Sequence, residues 1–96
     1  MQIDEFLESL KGSDPTTEDK YLRALWYSGK GNWHKAHQIA QDIHDAQGSW
    51  IHAHLHREEG DEWNARYWYN RAGKAIPSSS IRKEWEELVN HFLQHR

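Results

Sequence analysis

Ninety-six residues with a mass of 11.5 kDa have the size of one ordinary domain, so a single unit spanning residues 1–96 is expected and a multidomain enzyme is not. Twelve Lys and Arg against fifteen Asp and Glu leave a net charge of -3, a poor balance for displacing counterions from nucleic acid, and no nucleic-acid partner is expected. The absence of cysteine excludes disulfides, zinc ribbons and thiol catalysis, so any metal would have to be held by His and carboxylates.

Helical periodicity dominates the chain. Ile3, Phe6, Leu7 and Leu10 fall at i, i+3, i+4 and i+7 and predict a first helix, closed by Gly12 and the Asp14-Pro15 turn. Thr16 and Thr17 are candidate caps of a second helix with Tyr21, Ala24, Leu25 and Ser28 on one face, stopped at Gly29, Lys30 and Gly31. Asn32 caps a third, whose inner face carries Trp33, Ala36, Ala40 and Ile43 and which is expected to end at Gly48. Ser49 is expected to start a short fourth helix through Trp50, Ile51 and Leu55, ending at Gly60. Asp61 caps a fifth, with Ala65, Trp68, Tyr69 and Ala72 facing in. Ser78, Ser79 and Ser80 break the chain before a sixth, whose stripe runs through Ile81, Trp85, Leu88, Val89, Phe92 and Leu93. No segment shows sustained strand alternation. The pattern predicts an all-α, six-helix domain.

Ile, Leu, Val and Phe together number only 16 of 96, so the six Trp and four Tyr must supply much of the buried area, at roughly 150–250 Å² each. No stretch approaches the ~20 apolar residues that span a bilayer. The opening residues, Met1 to Glu5, are acidic where a signal peptide is basic. A cytoplasmic protein without a membrane partner is the expectation.

Offsetting the chain by 29 residues aligns Ala24 with Ala53, Gly31 with Gly60, Asn32 with Asp61, Ala36 with Ala65 and Ala46 with Ala75. One unit is used twice: a helix, a Gly followed by a capping Asn or Asp, and a helix with Ala where a close crossing needs a small residue. Over residues 20–77, Gly31-Asn32-Trp33 with Ala36, Ala40 and Ile43, and Gly60-Asp61 with Ala65, Tyr69, Ala72 and Pro77, resemble tetratricopeptide hairpins. The resemblance implies two degenerate hairpins flanked by N- and C-terminal helices, and a small interaction module that binds a protein or peptide without catalysis. An open solenoid and a closed bundle both fit. The stretch from Trp50 to Gly73 is also similar to a small helical family without an assigned activity, which implies no function.

In the interaction reading, Tyr21, Trp26 and Trp50 are the candidate partner groove. The alternative reading rests on eight histidines. His52, His56 and Glu59 stand at i, i+4 and i+7, the arrangement of a two-His-one-carboxylate metal set. His37, Gln41 and His44 share a face of the preceding helix, and Tyr67 and Arg71 are spaced i, i+4 on the following one. His37, His52, His56, Tyr67 and Arg71 thus form a candidate pocket for an anionic or peptide ligand, possible in an enzyme. Histidines packed between helices with neutral rings are the ordinary outcome of such spacing, and neither metal nor cofactor is expected. His91 and His95, near the end of the last helix, read as solvated. No phosphate loop, dinucleotide fingerprint or nucleophile elbow is present.

Overall fold

A computed structural model of the protein describes residues 1–94. Six helices follow in chain order: α1 (Ile3–Ser9), α2 (Lys20–Gly29), α3 (Trp33–Gln41), α4 (Ala46–Glu58), α5 (Glu62–Ala72) and α6 (Ile81–Gln94). The described residues contain no strand, and the fold is all-α. Sequential helices pack on one another from α2 to α5, while α6 returns across α2 and α4 and is covered at one end by α1. His95 lies outside the described residues.

The two matching turns have the same construction. Gly31 and Gly60 take φ values of 81° and 83°, a region open to glycine because it lacks a Cβ. The next residue caps the following helix: Asn32 Oδ1 accepts the Lys35 N–H at 3.2 Å and Asp61 Oδ1 accepts the Asn64 N–H at 3.2 Å. Four residues into each helix, Ala36 and Ala65 are buried at the crossing with the helix before.

Two boundaries differ from the sequence expectation. The α2 cap is Asp19, not Thr16 or Thr17: its Oδ1 accepts the N–H groups of Tyr21 at 3.0 Å and Leu22 at 3.2 Å, and Thr17 supports it by accepting the Asp19 N–H at 3.1 Å. A carboxylate here also faces the positive end of the helix dipole. The second correction concerns Gly48, which does not end α3. Asp45 caps α4 by accepting the Gly48 N–H at 2.7 Å, so the helix begins three residues before Ser49. Gly48 serves close approach instead, since a Cβ there would lie 2.4 Å from the Ile43 carbonyl oxygen.

The core joins α1, α2, α3, α4 and α6 through Phe6, Leu22, Leu25, Trp26, Ala36, Ala40, Ile51, Leu55, Trp85, Leu88 and Phe92. Trp85 is anchored by its indole N–H, which donates to the Leu25 carbonyl at 3.0 Å. A smaller cluster of Ala53, Ala65 and Tyr69 holds α5 against α4. Ile81, the first residue of the expected α6 stripe, is exposed, and its place in the core is taken one turn on by a carboxylate, Glu84.

Candidate functional site

His52 and His56 lie one turn apart on α4 and face α3, where His37 meets them both. His37 Nε2 and His52 Nε2 are 3.0 Å apart, and the ring centroids are 4.7 Å apart for His37 and His52, 5.2 Å for His37 and His56, and 4.9 Å for His52 and His56. One ring nitrogen from each of the three lies within 4.8 Å of the others.

Two indoles flank the imidazoles. Trp33, one turn before His37 on α3, stacks on its ring at 4.8 Å and is fixed by donating its indole N–H to the Leu55 carbonyl at 2.6 Å. Trp68 of α5 stacks on His52 with centroids 3.9 Å apart. The sequence reading placed Trp68 on the inner face of α5 but did not tie either indole to the histidines. Their signal was present: Trp33 and His37 are i, i+4 partners on one helix.

Burial disfavours the charged forms of His37 and His52. Desolvation, reinforced by the neighbouring His37 and His56, lowers the His52 pKa to about 4. Desolvation also lowers that of His37, with His56 and His34 adding to the effect and Glu59 opposing it. Neutral imidazoles offer lone pairs. At His56, Nδ1 lies 2.9 Å from Glu59 Oε1. Glu59 therefore orients His56, and the third member of the His52–His56 set is His37 in its place. Glu59 also forms a second grouping with His56 and the α5 cap, Asp61.

The other candidate residues divide. Tyr67 and Arg71 are exposed on α5, with the Arg71 guanidinium donating to the Tyr67 hydroxyl at 3.3 Å. Both connect to the imidazoles through Trp68: Tyr67 meets its ring edge-on at 5.2 Å, and Arg71 lies 5.3 Å from its centroid. Trp26 is buried in the core, donates to Ser9 Oγ at 3.1 Å and lines no groove. Tyr21 is half-buried, stacked on Phe92 and hydrogen-bonded to Asp45, while Trp50 is half-buried beside Phe92 and His91. His44 is exposed in the α3–α4 connector, and His91, read as solvated, bonds Gln47 Oε1 at 2.7 Å.

A second polar constellation, on the opposite side of α4, escaped the sequence reading. His54 and Glu84 are both fully buried, with His54 Nδ1 2.6 Å from Glu84 Oε1. The Tyr69 hydroxyl donates to the same carboxylate at 2.6 Å, and Arg57 Nη1 donates at 3.2 Å. Burial alone would raise the Glu84 pKa, but the bonds from His54, Tyr69 and Arg57 outweigh it and hold the group below its ordinary value. Burial and the carboxylate push Tyr69 up, so its proton stays in place as a donor. Through these bonds to Glu84, the network ties α4, α5 and α6 together.

Comparison with protein-family models, curated proteins and solved structures found no match to this chain.

Proposed function

We propose that this protein binds a divalent transition-metal ion through His37, His52 and His56. The observation that carries the reading is the convergence of three imidazole nitrogens within 4.8 Å of one another. In a tetrahedral zinc shell with Zn–N bonds of about 2.0–2.1 Å, ligand nitrogens stand roughly 3.3 Å apart. His37 and His52 Nε2, at 3.0 Å, are already near that spacing. Packing with neutral rings is the ordinary outcome of such spacing; the close convergence of His37 with His52 and His56 is what favours a bound ion.

The surroundings favour the same reading. Metal-ligating histidines commonly hand their other nitrogen to a carboxylate, which fixes the ring and raises its basicity, and Glu59 does this at His56. Desolvation keeps His37 and His52 neutral, so an ion binding at pH 7 displaces no net charge from these rings and needs only that the N–H shared between their Nε2 atoms move to an Nδ1. Nitrogen donors without thiolate suit zinc, copper or nickel. Three protein ligands leave a fourth position for water or an exogenous ligand, the open arrangement of catalytic zinc sites.

Metal-stripped protein titrated with cobalt, zinc and nickel tests the proposal. One ion per chain is expected, with the visible spectrum of tetrahedral cobalt, loss of that signal in each of His37→Ala, His52→Ala and His56→Ala, and a 10–100-fold weaker affinity in Glu59→Gln. At a hundredfold excess over Kd, zinc should stabilise the fold by about 2.7 kcal/mol. No saturable uptake, or uptake that survives all three His substitutions, would overturn it.

A further inference from the structure

The most exposed large apolar side chains on the described surface gather away from the imidazoles. Trp63 is 77% exposed, Ile76 54% and Tyr67 47%. Trp63, Arg66, Tyr67 and Asn70 follow at i, i+3, i+4 and i+7, a single stripe down the outer face of α5, and Lys74 and Ile76 close its far end from the following segment. Together they line a concavity of about 460 Å³. The rings of Trp63 and Tyr67 lie nearly parallel, with centroids 6.5 Å apart.

An exposed indole is a costly surface feature for a monomer, and contiguous apolar patches rimmed by polar residues mark interaction sites. Trp, Tyr and Arg are also the residues that dominate binding energy at interfaces. The rim has one sign of charge: Arg66 and Lys74 line the concavity, and Arg71 stands beside Tyr67. The acidic residues of this helix, Asp61 and Glu62, are confined to its amino-terminal end, where Asp61 is engaged with Asn64.

We infer that this face docks an acidic segment of a partner protein, an apolar side chain of the partner seating between Trp63 and Ile76 while its carboxylates meet Arg66, Arg71 and Lys74. Charge complementarity selects the occupant. A polynucleotide fits less well, because three cations neutralise few phosphates and Glu58, Glu59, Asp61 and Glu62 form an acidic turn at one end of the stripe. The inference is independent of metal binding at the imidazoles.

The test pans a randomised twelve-residue peptide display library against the intact protein, then measures the synthetic consensus peptide by fluorescence anisotropy beside a twelve-nucleotide oligothymidine. The expected consensus is acidic around one aromatic or aliphatic residue, and its binding weakens with salt. Trp63→Ala and Arg66→Glu should each weaken it at least tenfold, while Lys11→Glu, on the distant α1 turn, leaves it unchanged. Trp63 is exposed enough that its loss spares the fold, which circular dichroism verifies. No enriched consensus, a basic consensus, binding unaffected by both α5 variants, or tighter binding of oligothymidine than of the peptide would each overturn the inference.

Discussion

Removing the carboxylate of Glu84 should be among the most damaging single changes in this protein. The side chain is fully buried, and Glu84→Ala strips a partner at once from His54 Nδ1, the Tyr69 hydroxyl and Arg57 Nη1, which lie 2.6, 2.6 and 3.2 Å from it. Breaking a buried charged network by deleting one member costs about 3–5 kcal/mol, because the remaining groups stay desolvated without their hydrogen bonds. Against a total stability of roughly 5–15 kcal/mol this is a large share. At about 4–8 °C per kcal/mol for a domain of this size, Tm should fall by at least about 12 °C. Glu84→Gln keeps the shape and one acceptor, so its loss should be smaller, about 1–3 kcal/mol. Urea melts followed by far-ultraviolet circular dichroism give both numbers, and the Gln variant keeps the comparison readable if the Ala variant does not fold. Tyr69→Phe provides the cross-check, since its effect in the Glu84→Gln background should be non-additive by about 0.5 kcal/mol or more. A Glu84→Ala protein within about 1 kcal/mol of wild type, or strict additivity with Tyr69→Phe, would refute the network as the tie between α4, α5 and α6.

Two further outcomes follow from the same geometry. Gly48→Ala should be destabilising even though alanine is the better helix former by up to about 1 kcal/mol, because its Cβ would press to 2.4 Å from the Ile43 carbonyl oxygen and overpacking costs about 1–3 kcal/mol. A urea midpoint that holds or rises would show that the α3–α4 connector yields. In the metal-free protein, His52 has a folded-state pKa of about 4, below the ordinary 6.5, so the unfolded chain binds more protons in between. Its contribution is intact above about pH 6.5 and is lost as pH falls toward 4. The full effect would be roughly 3 kcal/mol, which screening in this half-enclosed cluster reduces to about 1–2 kcal/mol. Stability measured from pH 7 to pH 4 should fall by that much more in wild type than in His52→Gln, and parallel curves would refute the assignment.

What the sequence disclosed depended on how far apart the interacting atoms lie along the chain. The Gly31 and Gly60 turns were legible because their chemistry closes within a few residues: a positive φ, then a side-chain oxygen reaching the N–H three positions on. Gly48 misled because glycine has two uses, and a pattern alone does not separate the left-handed turn residue from the one that lets a helix press against a carbonyl. The i, i+4 pairing of His52 and His56 was legible, but the approach of His37 depended on how α3 and α4 pack. Glu84 was hidden differently. It stands at i+3 from Ile81, inside the apolar stripe, where a carboxylate is itself the clue, but its partners Tyr69, Arg57 and His54 lie 15, 27 and 30 residues away.

The histidines of α4 show how such placement separates two environments on one helix. His54 is two residues from both His52 and His56, about 200° around the helix, so one helix sends imidazoles to opposite sides. Each side supplies a carboxylate to an Nδ1, Glu84 to His54 and Glu59 to His56. Toward α6 the carboxylate is fully buried and also takes Tyr69 and Arg57, and His54 Nε2 is itself buried, with Glu58 Oε1 at 3.5 Å. Toward α3 the carboxylate, Glu59, sits at the end of the helix, and His56 meets the imidazoles of His37 and His52. Identical residue types at near-identical spacing therefore make a buried tie to a carboxylate on one face and, on the other, the imidazole cluster proposed to hold an ion. The difference lies in what the neighbouring helix brings: a carboxylate from α6, or another imidazole from α3.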